Sequence, residues 1–266
     1  MSPHRLALAL LMLVGWLGAH AMDFERRSLQ LGASGSVQAI ALEGAVREGD
    51  AKRFEQFLSE LDGANETPVL WLTLNSDGGS VREALGIARL IRRHGFITHV
   101  PAESRCVSAC IFLYSAGLVR VPALTPPNSA FRSNIGIHRA FFSRDFLASL
   151  SLSQAQELTR LMNQSLERAF REFDIPPHLY QSALMTASSQ VHWLSEAETR
   201  SLGTYPAWFD EYLLAKCRPV RPAESASASS DRSLTSRDKS ACAMRLLQDH
   251  RKQQKGVPMA APPAAD

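Results

Sequence analysis

Three short segments hold residue types that could make and break an acyl bond. They are Asn75-Ser76-Asp77-Gly78-Gly79-Ser80, Cys106-Val107-Ser108-Ala109-Cys110 and Ile135-Gly136-Ile137-His138. A paired glycine after an apolar run lets backbone N–H groups approach a ligand closely, because no Cβ stands in the way. Donors fixed in that manner can stabilise the oxyanion of an acyl-transfer intermediate. A serine where an extended stretch gives way to an apolar helix faces positive backbone potential, which favours developing negative charge. A histidine closing an apolar strand can accept the serine's proton. Each segment also has a plain structural reading: a strand-to-helix turn, an N-cap serine and a hydrogen-bonded rim histidine. Taken singly, those readings are the better ones. The three in chain order, each at a strand end, favour a site, because open α/β folds bind ligands at strand carboxyl ends.

Periodicity gives the elements that must position these residues. Residues 37–42 read as a short apolar strand ending at Gly44. Asp50 can cap a helix whose apolar face is Phe54, Phe57, Leu58 and Leu61. Residues 69–74 are a nearly continuous apolar run, the pattern of a strand buried on both faces, and they lead into the paired glycine. The next helix puts Val81, Ala84, Leu85, Ala88 and Ile91 on one face and closes at Gly95, before a strand over 97–100. An apolar segment over 109–116 follows Ser108, and 119–121 and 134–138 are further short strands. A long amphipathic helix is predicted over 153–173, opened by a Ser153/Gln156 capping box. Its inward face would be Leu158, Leu161, Met162, Leu166, Ala169 and Phe173. A second box, Ser195 with Glu198, opens a short helix that Gly203 ends. This alternation predicts an α/β fold with parallel strands and crossover helices. Residues 23–34 read as an irregular lead-in.

Asn-Ser-x-Gly-Gly before a helix, a serine flanked by small residues, and Gly-x-His beyond it resemble the ClpP peptidases. The resemblance is strongest to their exported, periplasmic ClpP-like relatives, and it spans about residues 36–205. Gly79 lies 29 positions before Ser108, similar to that family's separation of oxyanion glycine and nucleophile. The resemblance implies a ClpP/crotonase-like spiral of parallel strands with crossover helices. It further implies that Ser108 attacks the scissile carbonyl, that His138 takes its proton, and that the amides of Gly79 and Ala109 hold the oxyanion. Ring assembly is typical of that family, so a homo-oligomer is an expectation that no residue of this chain specifies.

The third member of the site departs from the family. The positions where its acid is expected hold Ser188, Ser189, Gln190 and Val191, and no Asp occurs between Asp174 and Asp210. Gln190 can hydrogen-bond an imidazole but supplies no charge, while Glu196 and Asp145 are carboxylates that folding could bring in instead. A serine–lysine pair, used by the fold relative signal-peptide peptidase A, would need a distant lysine. None occurs between Lys52 and Lys216, and a guanidinium stays protonated at physiological pH. The leading reading is a serine hydrolase, an ATP-independent peptidase acting on peptides or unfolded proteins. The missing acid favours a second reading, a weak or inactive pseudo-enzyme that binds peptides or envelope proteins in the same groove. An esterase using the same serine is a third. Neither cofactor nor metal is implied, no phosphate-binding Gly-x-x-x-x-Gly-Lys motif is seen, and CoA chemistry does not suit an exported chain.

Export is read from the first residues. His4 and Arg5 precede an apolar run over 6–17, and Ala19-His20-Ala21 is a small-x-small cleavage pattern. The run is short of the roughly 20 apolar residues that span a bilayer. Residues 1–21 are therefore expected to be a secretory signal cut after Ala21, leaving a periplasmic or secreted protein without stable membrane insertion, with an uncleaved membrane anchor as the alternative. Cys106, Cys110, Cys217 and Cys242 make an even count in an oxidising compartment. Chain order favours Cys106–Cys110 and Cys217–Cys242 among the three pairings that four cysteines allow. No His stands at zinc-ligand spacing beside either pair. A net charge of +3 without a block of like charges argues against a nucleic-acid partner. The α/β domain is expected over 23–216 and a flexible extension over 217–266, which a Cys217–Cys242 bond would tether to the domain, with a linker at 219–238 and a disordered tail at 256–266.

Overall fold

The computed structural model describes residues 21–30, 35–63, 69–122, 134–217 and 235–253. The expected signal segment up to residue 20, most of the expected linker and the expected tail lie outside the described residues.

Two sheets carry the fold, which is mixed α/β with parallel strands. The larger has the order β1 (Asp23–Gln30), β2 (Ser36–Glu43), β3 (Trp71–Asn75), β4 (Ile97–His99) and β6 (Val119–Val121). β1 runs antiparallel to β2, and the remaining pairs are parallel. The smaller sheet has the order β5 (Cys106–Val107), β7 (Ile135–Ile137) and β8 (His192–Trp193). A parallel bridge from Ser76 to Cys106 ties the two sheets together just beyond the end of β3.

Parallel neighbours need crossovers, and amphipathic helices supply them. α1 (Asp50–Gly63) buries Phe54 and Leu58, while α2 (Val81–His94) buries Ala84, Ile87, Ala88 and Ile91 on one stripe. Ser80 caps α2 by accepting the Glu83 N–H, and Gly95 closes it at φ 70°. A side-chain cap of this type contributes about 1 kcal/mol. α3 (Cys110–Ser115) is buried along its whole length. α4 (Arg144–Ala148) is exposed, and α5 (Leu152–Glu172) buries Leu166, Ala169 and Phe170 and packs Met162 against the core, while Leu161, expected on the inward face, is exposed. α6 (Pro177–Met185) and α7 (Glu196–Ser201) follow on either side of β8.

Buried arginines stitch these layers together. Arg92 donates to the carbonyls of Ser115 and Ala116 and, at 3.3 Å, to Asp174. Arg120, almost wholly buried, donates to the carbonyls of Phe173 and Leu202 and lies 3.7 Å from Asp174. Burial pulls the Arg120 guanidinium down to about 10, with Arg92 pushing the same way.

Several elements differ from the reading of the sequence. Residues 23–30, expected as an irregular lead-in, form β1. It is an edge strand rich in charge, and its pairing is supported by Arg27 bridging Glu25 and Glu43. α5 begins one residue earlier than predicted, because Ser151 and Gln154, not Ser153 and Gln156, form its capping box. Within the C-terminal part read as a flexible extension, residues 236–253 form α9 (Ser236–Gln253). Ala243 and Leu247 of α9 pack with Phe209 and Leu213 of α8 (Ala207–Lys216) against Leu70, Ile97 and Leu118. Cys217 and Cys242 are bonded across that junction. A four-residue apolar spacing with a covalent tie makes this a second small core.

Candidate active site

The glycine loop follows directly from the end of β3. Gly78 and Gly79 have φ values of 84° and 140°, in the region that L side chains rarely adopt. A Cβ on Gly78 would lie 2.8 Å from the Ala109 nitrogen and 2.8 Å from the Ser108 Cβ. A Cβ on Gly79 would collide with the Val46 carbonyl oxygen. The Val46 N–H donates to the Gly78 oxygen at 2.8 Å, and the Val46 oxygen accepts the Ser80 N–H at 2.9 Å. Since N–H and C=O point opposite ways across a trans peptide, the Gly79 N–H is turned away from Val46. Among the described residues, neither the Gly79 nor the Ala109 N–H has a protein acceptor. Arg105 braces the loop from the side, donating to both Asp77 carboxylate oxygens, and this raises its own pKa.

Ser108 stands where β5 ends. Its N–H donates to the Gly136 oxygen at 2.8 Å, and the Val107 N–H donates to the Ser76 oxygen at 2.9 Å. At φ 58° Ser108 adopts the left-handed conformation, which costs a non-glycine residue roughly 1–2 kcal/mol. The surrounding strand pairing holds it there, as does the Cys106–Cys110 disulfide that spans the turn. Such stored strain is found where a side chain must be presented at a fixed angle. The residue capping α3 is Ala109, and no side chain caps that helix, so an N-cap role does not explain Ser108.

His138 follows β7 and is half-buried. Its Nδ1 lies 3.0 Å from the Arg139 carbonyl oxygen, and its ring leans against Phe141 at 6.2 Å. A carbonyl can only accept, so Nδ1 carries the proton and Nε2 keeps a free lone pair.

Ser108, Ala109 and His138 border one open cleft. Its remaining wall is largely apolar, with Phe112, Leu166, Phe170 and Ala183 contributing. Phe112 and Phe170 meet edge to face at 5.5 Å. Tyr180 also lines the cleft, with its hydroxyl donating to the Asn163 carbonyl. Burial, with Glu167 nearby, raises the pKa of that phenol, so it is a neutral wall. Gly79 does not itself line the cleft, although Val81 does.

The residues considered for a third member are placed differently. Glu196 is paired with Arg200, Asp145 sits in the exposed α4, and Gln190 is exposed in a turn. Among the described residues none of them hydrogen-bonds His138. Sequence reasoning missed a second imidazole pair: His192 Nε2 lies 2.8 Å from Glu198 Oε1. Glu198 also accepts the Ser195 N–H in the predicted capping box. Burial pushes its carboxyl up, but the Ser195 N–H and His192 outweigh it and hold the pKa below the ordinary value. His192 is the register partner of Ile137, one residue from His138, yet this pair does not border the cleft. Both cysteine pairs are bonded, so no described thiol is left as a metal ligand.

No protein-family model matches the chain, and no curated protein matches it by sequence. Many solved structures are similar, and the likenesses are at low scores. ClpP1 from Listeria monocytogenes aligns over 63% of this chain and 88% of its own, at 16% identity and a TM-score of 0.38. The membrane-bound stomatin-specific protease 1510-N aligns over 63% of this chain and 75% of its own, at 11% identity and a TM-score of 0.41. The residues, not these likenesses, carry the chemistry that follows.

Proposed function

We propose that this chain is a serine hydrolase, an ATP-independent peptidase that cuts peptides or unfolded proteins outside the cytoplasm. One observation carries the reading: a serine held in a left-handed turn and a histidine with a free Nε2 border the same cleft. In the proposed reaction Ser108 Oγ attacks the scissile carbonyl carbon and its proton passes to His138 Nε2. The carbonyl oxygen becomes an oxyanion between the N–H groups of Gly79 and Ala109. Collapse expels the amine, which takes the proton from His138, and water then releases the acyl group by the same steps reversed. The apolar wall favours a substrate with an apolar side chain next to the cut bond.

The imidazolium formed midway faces the Arg139 carbonyl dipole rather than a carboxylate. With no carboxylate to stabilise that charge, slow catalysis is part of the proposal. Location outside the cytoplasm is supported by the leader-like first residues and by two disulfides, and no described helix is long and apolar enough to cross a membrane. A ClpP/crotonase-type spiral is the arrangement proposed for these strands. A homo-oligomer is proposed with it, since Phe141, Leu152 and Met185 stand exposed.

Turnover of quenched peptides, compared with simple esters, tests the reading. Cleavage beside apolar residues, absent from Ser108→Ala, is expected. Ester cleavage alone would make the chain an esterase. A second reading, a peptide-binding pseudo-enzyme, is favoured by the lack of any described carboxylate on His138. It predicts peptide binding without turnover.

A further inference from the structure

Met22, the residue after the small-x-small pattern, is fully buried, and its backbone N–H donates to Asp50 Oδ2 at 3.2 Å. Asp50 is fully buried too, although it opens α1, where an acid ordinarily faces water. Its Oδ2 accepts the Arg47 N–H at 2.6 Å, and its Oδ1 meets the partly exposed Arg53 at 2.6 Å. Arg53 also donates to the Met22 carbonyl at 3.0 Å. A buried carboxylate is thus aimed at the nitrogen of residue 22. Burying such a charge is costly unless cations and donors surround it. In the unbroken chain this nitrogen is only a neutral amide.

We propose that hydrolysis of the Ala21–Met22 bond turns this nitrogen into an α-ammonium paired with Asp50, so that removing the leader installs an ion pair that steadies the oxyanion loop. The ion pair rests on the leader reading alone, and its effect on the oxyanion loop rests also on the serine reading. In the cut, water gives its hydroxyl to the Ala21 carbonyl carbon and a proton to the nitrogen as the C–N bond breaks. Ionisation of the new carboxyl balances the second proton, because an α-amine stays protonated below about pH 8. The cutting agent is a leader-removing peptidase of the export route. Burial of Met22 requires that it act before the chain folds.

The new charge lies at one end of a short hydrogen-bonded segment. Asp50 holds the Arg47 N–H, Gly44 donates to the Asn75 oxygen at 2.9 Å, and Val46 pairs with Gly78 and Ser80. Ala21 pairs with Ala45 on the same segment, and that contact leaves with the leader. The ion pair replaces it, and in a buried setting it is worth far more than at the surface. The leader-bearing precursor lacks the pair, so its Gly79 N–H is less firmly held and its serine reacts more slowly.

Two mature chains test this: one whose first residue is Met22, released from a cleavable fusion, and one carrying two extra residues that keep an amide there. The free-amine form is expected to melt about 5 °C higher. It should also react with a fluorophosphonate roughly tenfold faster. In Asp50→Asn both differences should vanish, and if that variant fails to fold, the wild-type pair alone decides. Equal melting of the wild-type pair overturns the proposal. So does an exported protein whose intact mass puts its first residue anywhere but Met22. A melting difference with no labelling of either form supports the ion pair and overturns the serine reading instead.

Discussion

The Nδ1 of His138 donates to the carbonyl oxygen of Arg139, its immediate neighbour, at 3.0 Å. In the proposed mechanism that bond does half of the work of a triad's acid. It fixes the tautomer and leaves Nε2 as the acceptor, but it offers a dipole where a carboxylate would offer a charge. No side-chain substitution can remove a backbone carbonyl. Asp145→Asn, Glu196→Gln and Gln190→Ala should therefore each change the fluorophosphonate labelling rate by less than about twofold. A loss of several hundredfold in one of them would identify that residue as the third member.

The left-handed turn at Ser108 makes a prediction about stability. Glycine adopts φ 58° without penalty, whereas alanine keeps the strain that serine bears. Ser108→Gly should be more stable than Ser108→Ala by about 1 kcal/mol in urea unfolding, the reverse of the usual order. Equal stabilities would argue against the turn.

Cys106 and Cys110 close the turn that presents Ser108. Reducing them should slow labelling roughly tenfold, because Ala109, the proposed oxyanion donor, lies inside that loop. Labelling at an unchanged rate after full reduction, checked by thiol counting, would leave the pair with a packing role only.

Acid sensitivity should locate to the His192–Glu198 pair. Glu198 has a folded-state pKa below its ordinary value. Such a group stabilises the fold above the unfolded pKa, near 4.5, and loses that contribution as pH falls through the folded value. Glu198→Gln should thus melt below wild type at pH 7, with the gap shrinking at an acid pH below the folded value. A gap of the same size at both pH values would mean that packing, not charge, carries the effect.

Much of the frame was legible because periodicity reports burial. The runs 69–74 and 81–91 show their strand and helix character in apolar spacing, and Ser195 with Glu198 announces its own helix. β1 was hidden because an edge strand needs apolar residues on one face only, and Arg26 and Ser28 broke even that pattern on the face of Phe24. α8 and α9 could have been found: Phe209 with Leu213, and Ala243 with Leu247, are four-residue pairs beside a cysteine partner. Within the site, residue types and order were readable, while the φ of Ser108 and the carbonyl partner of His138 were not. Both are backbone facts set by the pairing of β5 with β7, and side-chain patterns do not encode them.

The central claim is that Ser108 and His138 act as one reactive pair. The most direct test is to treat the folded protein with a fluorophosphonate and locate the adduct by peptide mass. The expected result is a single adduct on the peptide holding Ser108, lost in His138→Ala while the fold and melting point are kept. An unlabelled, correctly folded wild type, or labelling that persists undiminished without His138, would contradict it.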